Sequence, residues 1–330
     1  MTATTNTAVS AGNTPPAPRS TAGAAPTRRR GQQSTGQRML PYLLLAPAVL
    51  GILALLGWPV LSVLLTSVRK LDLGELMRGQ VVWVGFDNYV EIISDPGFWE
   101  ITLRTLLFTA GCVASIVLGG LLVALLMRHV PPAVRVLLQL SLVLAWAMPN
   151  LAATTTFQWI FDPNFGILNK TLVLFGFDGF AGYSWFTSGL STLTVIVVVV
   201  AWQGIPFTAF TMYAGLLAVP GDLYEAAGID GANSWQSFRA VTWPALRPIL
   251  TVCTFLSILW DFKLFTQVWA MRQGGPDGGS TTLSVLQYLN GISAKHFGLA
   301  AAVSVLMIVV LFVLTAQYIR LLVRSREVDL

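Results

Sequence analysis

Long apolar stretches, separated by short polar ones, make up most of the chain after residue 38. A helix needs about 20 apolar residues to cross the hydrocarbon core of a bilayer. The stretches that meet this length are 39–68, 101–127, 136–160, 189–217, 246–270 and 298–322. We therefore predict an all-α integral membrane protein with six transmembrane helices, which we call the first to the sixth span.

The two ends of the chain lack this pattern. Residues 1–38 are rich in Ala, Thr, Ser, Pro and Gly and contain three consecutive arginines at 28–30. Such a segment buries too little apolar surface to fold, so we predict a disordered tail. Its arginines would either orient the chain or bind anionic headgroups. The run 39–68 is too long for the core of a signal peptide. We assign the transmembrane domain to 39–326 and a C-terminal tail to 327–330.

Composition supports a membrane protein independently of the pattern. Hydrophobic residues make up 55% of the chain and charged residues 11%, whereas charged residues are about a quarter of a soluble domain. The net charge of +5 is then better explained by basic cytoplasmic loops than by nucleic-acid binding. Cys112 and Cys253 both fall inside predicted spans, where they act as small apolar residues, so neither a disulfide nor a metal site is expected.

Basic residues predict which side of the membrane each loop faces, because Lys and Arg are enriched in cytoplasmic loops. One side carries Arg19, Arg28, Arg29, Arg30, Arg38, Arg128, Arg135, Arg239, Arg247, Arg320, Arg324 and Arg326. The other carries Arg69, Lys70, Arg78, Lys170, Arg272 and Lys295. Even without the tail, the loop 128–135 and the C-terminal end favour the first side. We expect a multi-pass protein of the cytoplasmic membrane with both termini and the segment 222–244 in the cytoplasm.

The segment 222–244, which we call the elbow, is the most polar interval in the second half of the chain. Asp222 is predicted to cap a helix with Glu225 as its capping-box partner. Gly231 would end that helix. A second short helix, 234–240, is expected to stop before Pro244. The pattern therefore predicts two short helices joined at a glycine, lying in water beside the membrane.

The elbow resembles the EAA motif of MalF-type permeases, the inner membrane components of binding-protein-dependent carbohydrate ABC importers. Glu225, Ala226 and Ala227 match its start and Gly231 its glycine. Val241, Trp243 and Pro244 occupy the closing Ile-x-Leu-Pro positions, where tryptophan replaces leucine. Further similarity lies in AWQGIPF (201–207), LYEAAGIDGA (223–232), RQGGP (272–276) and FGLAAAVS (297–304). The resemblance extends over about residues 39–326.

The resemblance implies the transmembrane domain of a type I (MetI-like) ABC importer, a transport subunit without enzymatic activity. It implies four kinds of partner besides membrane lipid: a second homologous permease, an ABC ATPase dimer, an extracytoplasmic sugar-binding lipoprotein and the sugar. No cofactor is expected in this chain. It contains no G-x-x-x-x-G-K-[ST] loop, so ATP and Mg would bind the partner ATPase. The residues assigned to ATPase coupling are Glu225, Ala226, Ala227, Asp230, Gly231 and Pro244.

Polar groups inside the predicted spans are candidates for a substrate pathway, since they are costly in a membrane. Asp261 and Lys263 lie two residues apart and do not share a helix face. Either they line a pathway together with Gln267, or they pair across a subunit interface. Pro206 is expected to break the fourth span beside Trp202 and Gln203, which could hold a sugar ring or simply pack. Asn150 and Gln158 are weaker candidates of the same kind.

Other functions and the substrate stay open at this stage. The loops 69–100, 161–188 and 271–297 could contact a docked binding protein or be ordinary connectors; the first is expected to form a short amphipathic helix. An ion-coupled secondary carrier would need intramembrane acids or histidine relays and often internal repeats, and a membrane enzyme would need catalytic groups near one face. WDFKLFTQVW (260–269) is similar to the disaccharide and amino-sugar branch. Chitobiose-like sugars, trehalose, maltodextrins and glycerol phosphate are all compatible with it.

Overall fold

The structure is a computed structural model that describes residues 35–328, with the side chains of residues 44–320. The predicted disorder of residues 1–34, with their arginines, and the last two residues of the predicted C-terminal tail lie outside the described residues. The prediction of disorder is wrong for residues 35–38, which are the start of the helix Thr35–Ile52. The chain divides into two units with a boundary after Leu55; the first contains that helix, and all sites discussed below belong to the second.

The described residues are mostly helical, as predicted. The helices are Thr35–Ile52, Trp58–Ser67, Leu73–Arg78, Asp87–Ser94, Pro96–His129, Pro132–Ala147, Asn150–Ile160, Ile167–Leu174, Gly189–Leu217, Gly221–Ile229, Ser234–Ser237, Trp243–Asp261, Thr266–Arg272, Leu283–Tyr288 and Phe297–Val328. The π-helical turns are Leu53–Gly57, Phe238–Thr242 and Leu289–Ser293, and Asp178–Phe180 is a 3₁₀ turn. The strands Arg69–Lys70 and Val82–Trp83 pair antiparallel in a short ribbon.

Within the described part of the chain, five helices are long and apolar enough to cross a membrane. They are Leu44–Ser67, Pro96–His129, Gly189–Leu217, Ser234–Asp261 and Phe297–Arg320, the first, second, fourth, fifth and sixth spans. The third span consists of Pro132–Ala147 and Asn150–Ile160, which meet at 105°. Met148 between them is extended (φ −69°, ψ 130°) because a residue that precedes proline disfavours the helical region. The predicted third span, 136–160, is therefore a pair of helices bent at Pro149, where the sequence indicates a break only weakly; counted as one span, the pair brings the number of crossings to six.

Small residues let the second and fourth spans approach closely, and this is the most extensive helix pair among the described residues. A Cβ atom built on Gly120 would lie 2.6 Å from Cγ2 of Thr208, and one built on Gly204 would lie 2.6 Å from Cδ1 of Ile116. A larger residue at Gly120 would also meet Cβ of Thr208 (2.7 Å) and the backbone nitrogen of Ala209 (3.2 Å), so the two spans would have to move apart. Apolar residues of the two spans, including Cys112 and Ile196, are fully buried between them. Van der Waals packing at small residues is what holds helices together in lipid.

Two predictions about the later spans are wrong. The fourth span is continuous through Pro206, because neighbouring helices can satisfy the backbone groups that an interior proline leaves free. The fifth span begins at Ser234 and ends at Asp261, not at 246 and 270. A turn follows it, and the helix Thr266–Arg272 is a separate element.

The loops 69–100 and 161–188 have their own local structure. The first, 69–100, forms the ribbon and the two short helices Leu73–Arg78 and Asp87–Ser94. In the loop 161–188, Oδ1 of Asp162 accepts hydrogen bonds from the backbone N–H groups of Asn164 (2.9 Å) and Phe165 (2.8 Å). These bonds hold the pKa of the Asp162 carboxyl below its usual range. They fix the turn that the sequence predicts there.

Candidate functional site

The elbow bends at Gly231, as predicted, but its caps differ from the prediction. Its first helix, Gly221–Ile229, which we call the elbow helix, follows Pro220 without any side-chain cap, so Asp222 is an ordinary first-turn residue. The fixed φ of proline already prepares the chain for a helix. Gly231 lies in the left-handed region (φ +78°), which side chains other than glycine rarely adopt. The capping box lies after the bend, between Asn233 and Gln236.

The second part of the elbow is continuous with the fifth span, so Pro244 does not end a separate helix. Ser234–Ser237 runs through the π-turn Phe238–Thr242 into Trp243–Asp261. A π-turn is wider than an α-helical turn, and here it lies directly before the proline. Such turns occur at kinks in helices and are frequent at functional sites. The second part of the elbow and the fifth span thus form one continuous helical segment, Ser234–Asp261.

The surface of the elbow combines acidic and large apolar side chains. Among the predicted coupling residues, Glu225, Ala226, Asp230 and Gly231 are exposed, as is Pro244, and Ala227 is half-buried. Beside them Ile229 is 87% exposed and Trp235 is 69% exposed. Neither residue was predicted from the sequence to be part of an interaction surface. Their position, large apolar residues on both sides of a polar bend, could have indicated one. Large apolar side chains left in water are typical of an interaction site.

Four of the seven predicted pathway residues lie around one cavity of about 230 Å³. These are Asn150, Gln203, Asp261 and Gln267. The remaining lining residues are Ile116, Trp146, Val200, Gly204, Phe207, Thr208, Ser257, Trp260 and Leu264. The cavity thus lies where the second, third, fourth and fifth spans meet, and its lining contains both polar and aromatic side chains.

The amides of the cavity form one hydrogen-bonded chain. Nε2 of Gln203 donates to Oδ1 of Asn150 (3.1 Å) and to the carbonyl oxygen of Met148 (3.2 Å). Nε2 of Gln267 donates to Oε1 of Gln203 (3.4 Å). The bend of the third span is therefore part of the site, because it exposes the Met148 carbonyl that a straight helix would use internally.

Asp261, the last residue of the fifth span, is 5% exposed. Its Oδ2 atom is buried and accepts no hydrogen bond. Lys263 is exposed in the turn that follows, and within residues 44–320 the structure shows no ion pair between the two. A carboxylate at the edge of a polar cavity, without a protein partner, is suited to accept hydrogen bonds from a bound molecule.

The structure places the other predicted pathway residues outside the lining of this cavity. Nε2 of Gln158 donates to the carbonyl oxygens of Ala270 (2.8 Å) and Met271 (2.7 Å), so it ties the third span to the helix Thr266–Arg272. The ring of Trp202 packs on Phe157 with centroids 5.5 Å apart. Among the described residues, no group of three or more His, Cys, Asp or Glu side chains could hold a metal ion.

Comparison with known proteins shows the family to which the chain belongs. Residues 112–327 match the family described as binding-protein-dependent transport system inner membrane component. The chain is 42% identical to the diacetylchitobiose uptake system permease protein DasB of Streptomyces coelicolor, over 93% of this chain and 94% of that protein. It is 33% identical to the sulfoquinovosyl glycerol transport system permease protein SmoG of Agrobacterium fabrum, over 88% and 92%.

A solved structure supports the fold. It is that of a bacterial ABC transporter involved in the import of the acidic polysaccharide alginate, with a TM-score of 0.74, 20% identity, and coverage of 88% of this chain and 96% of that chain. The chain therefore belongs to the family of binding-protein-dependent transport system inner membrane components, and it is a membrane-embedded permease subunit of an ABC importer rather than an enzyme.

Proposed function

We propose that this permease subunit imports a sugar, a di- or oligosaccharide, across the cytoplasmic membrane with energy from ATP hydrolysis in a separate subunit. The observation that carries the choice of substrate class is the 42% identity to a diacetylchitobiose permease over 93% of the chain. The chemistry of the cavity agrees with it. Amides and a carboxylate bond hydroxyl and amide groups, and Trp146 and Trp260 in the lining offer aromatic faces to a sugar ring.

The elbow is proposed to dock on the ATPase. Ile229 and Trp235, which project from either side of the bend, would fill a groove on that partner and supply most of the affinity. Glu225 and Asp230 would make polar contacts at the rim, while Ala226 and Ala227 allow close approach. Gly231 holds the bend, and Pro244 lies where the elbow enters the fifth span. ATP and Mg would bind the ATPase dimer and not this chain.

The proposed complex contains a second homologous permease and an extracytoplasmic sugar-binding lipoprotein. Both termini and the elbow of this chain would face the cytoplasm, on the side richer in arginine. The loops 69–100, 161–188 and 271–297 would then face the binding protein. Closure of the ATPase dimer would move the elbow, tilt the spans attached to it and switch the side from which the cavity is reached.

The substrate class is tested with the full complex reconstituted in proteoliposomes. Uptake of labelled diacetylchitobiose, maltodextrin, trehalose and glycerol phosphate is measured with the binding protein present outside and ATP inside. We expect ATP-dependent uptake of a di- or oligosaccharide, with competition by related sugars. Uptake of glycerol phosphate and of no sugar would contradict the proposed substrate class. So would the absence of sugar uptake by a complex that hydrolyses ATP.

The proposed role of the elbow is tested by substitutions of Gly231, the residue at its bend. We expect Gly231→Val to abolish uptake, because a β-branched residue in the left-handed region costs about 1–2 kcal/mol and would change the direction of the chain. Gly231→Asn is the matched control, since asparagine tolerates this region; it should keep most of the uptake. Equal uptake by the two variants would show that the bend is not required.

A further inference from the structure

Tyr224 precedes the first residue of the EAA motif and points away from the proposed docking surface. Neighbouring residues on a helix do not share a face, and whereas Glu225 is exposed, Tyr224 is half-buried. The elbow helix has little other support. Among the described residues its only substantial neighbour is Ser234–Ser237, and no span packs extensively against it. Few contacts are therefore available to carry its motion into the membrane.

The ring of Tyr224 contacts the second span. The guanidinium carbon of Arg128 lies 3.9 Å from the centroid of the ring, a separation at which a cation and an aromatic face attract each other. Arg128 belongs to the last turn of the helix Pro96–His129. It is therefore held in place by the longest of the described spans.

The hydroxyl group of Tyr224 contacts the fifth span. It lies 3.0 Å from Oγ1 of Thr242, where either oxygen can be the donor. Thr242 is 3% exposed and is the last residue of the π-turn that leads into Trp243–Asp261. One side chain of the elbow helix thus touches two different spans through two different groups.

The two spans that Tyr224 contacts both line the cavity. The second span contributes Ile116, and the fifth contributes Ser257, Trp260 and Asp261. We propose that Tyr224 is a positioning residue that couples the elbow helix to the second and fifth spans, through its ring on Arg128 and its hydroxyl group on Thr242. A displacement of the elbow helix then moves two walls of the cavity together. This inference rests on the proposed docking of the ATPase at the elbow.

Two variants separate the two contacts. Tyr224→Phe keeps the ring on Arg128 and loses the hydroxyl group, and Thr242→Val removes the same hydrogen bond from its other end. Each variant should lower the ratio of sugar transported to ATP hydrolysed. We expect a decrease of about fivefold, which corresponds to the net free energy of one hydrogen bond. Because they remove the same interaction, the double variant should be no worse than either single variant.

The ring contact is tested with Tyr224→Leu and Arg128→Leu, with Arg128→Lys as the conservative control. The first two should lower the transport-to-hydrolysis ratio by about tenfold or more, since the cation–π contact is lost. Arg128→Lys retains a cation over the ring and should restore most of the ratio. A merely structural defect would lower the amount of complex and not this ratio.

Co-purification of the ATPase with every variant distinguishes the inference from the proposed function. We expect the ATPase to remain bound at wild-type stoichiometry while transport per ATP falls. A wild-type ratio in Tyr224→Leu would overturn the inference and leave the docking proposal intact. Loss of the ATPase from Tyr224→Phe would also overturn it, by placing Tyr224 in the docking surface. Failure of the wild-type chain to bind any ATPase would instead refute the proposed function.

Discussion

Asp261 is buried in a position where a carboxylate is expected to lower the stability of the folded protein. A buried carboxylate without a hydrogen-bond partner is costly, yet Oδ2 of Asp261 is in that position beside a cavity lined with amides. Ser257 and Gln267 belong to the same lining, yet neither side chain donates a hydrogen bond to this oxygen. A group that opposes folding and faces a cavity is best explained by contact with whatever passes through the cavity.

Asp261→Asn tests this explanation. We expect uptake to fall about tenfold or more, because a hydrogen bond to a charged group is worth about 1.5–3 kcal/mol. The thermal unfolding midpoint of the purified protein should stay the same or rise, because the variant removes an uncompensated buried charge. Lys263→Gln is the control and should change neither quantity, since Lys263 is exposed outside the lining. Unchanged uptake with a lower midpoint would mean that Asp261 is structural.

The loop that follows the helix Thr266–Arg272 is held by the second span. Its residues Gln273 and Asp277 have positive φ (54° and 49°) although they are not glycine, and such conformations persist only when their surroundings fix them. Arg104 of the second span holds the later part of this loop. Its Nη1 atom donates to the carbonyl oxygens of Gly278 (2.8 Å) and Thr281 (3.3 Å), and its Nη2 atom pairs with Glu100.

Arg104→Ala should loosen this loop. Losing hydrogen bonds from a charged group costs about 1.5–3 kcal/mol, so backbone amides of the loop, such as that of Ser280, which donates to Gly274, should exchange with solvent at least about tenfold faster. Hydrogen exchange with mass spectrometry measures this. Arg78→Ala is the matched control, since Arg78 pairs locally with Glu75 at an exposed site. Equal protection in both variants would show that Arg104 does not hold the loop.

Element boundaries show where sequence reasoning succeeds and where it fails. Apolar length predicted the five spanning helices and the bent third pair, although not all of their bounds, because a bilayer leaves little choice of element. The start of the fifth span was misplaced because Pro244 was interpreted as the end of a separate helix. In the structure the π-turn Phe238–Thr242 precedes this proline, and the helix continues through it. A break was likewise predicted at Pro206, where packing against the second span keeps the helix continuous. The bend at Pro149 was indicated only weakly by the sequence.

At the scale of the whole molecule, the candidate site was only partly predictable. Polar residues at membrane depth drew attention to Asn150, Gln203, Asp261 and Gln267, because their cost in lipid needs no knowledge of the fold. Sequence spacing could not show that they share one cavity, since this depends on how four spans cross. The contacts of Tyr224 with Arg128 and Thr242 were missed for a similar reason, because they depend on how the elbow helix folds back beside two spans.

The predicted orientation can be measured on the intact protein. Cys112 and Cys253 are both buried, so a membrane-impermeant thiol reagent should label the wild-type chain weakly. Asp230→Cys should be labelled only from the cytoplasmic side, and Asp178→Cys, in the loop 161–188, only from outside. Labelling of Asp230→Cys from outside would place the elbow beyond the reach of a cytoplasmic ATPase.

The most direct measurement compares uptake by proteoliposomes that contain the whole complex with uptake by proteoliposomes that contain this chain alone. Accumulation of sugar inside the proteoliposomes is measured with ATP enclosed in them. The measurement is repeated after ionophores have dissipated every ion gradient. We predict accumulation that requires enclosed ATP and the bound ATPase and that is unaffected by the ionophores. Accumulation by the isolated chain, driven by an ion gradient and abolished by the ionophores, would contradict the account.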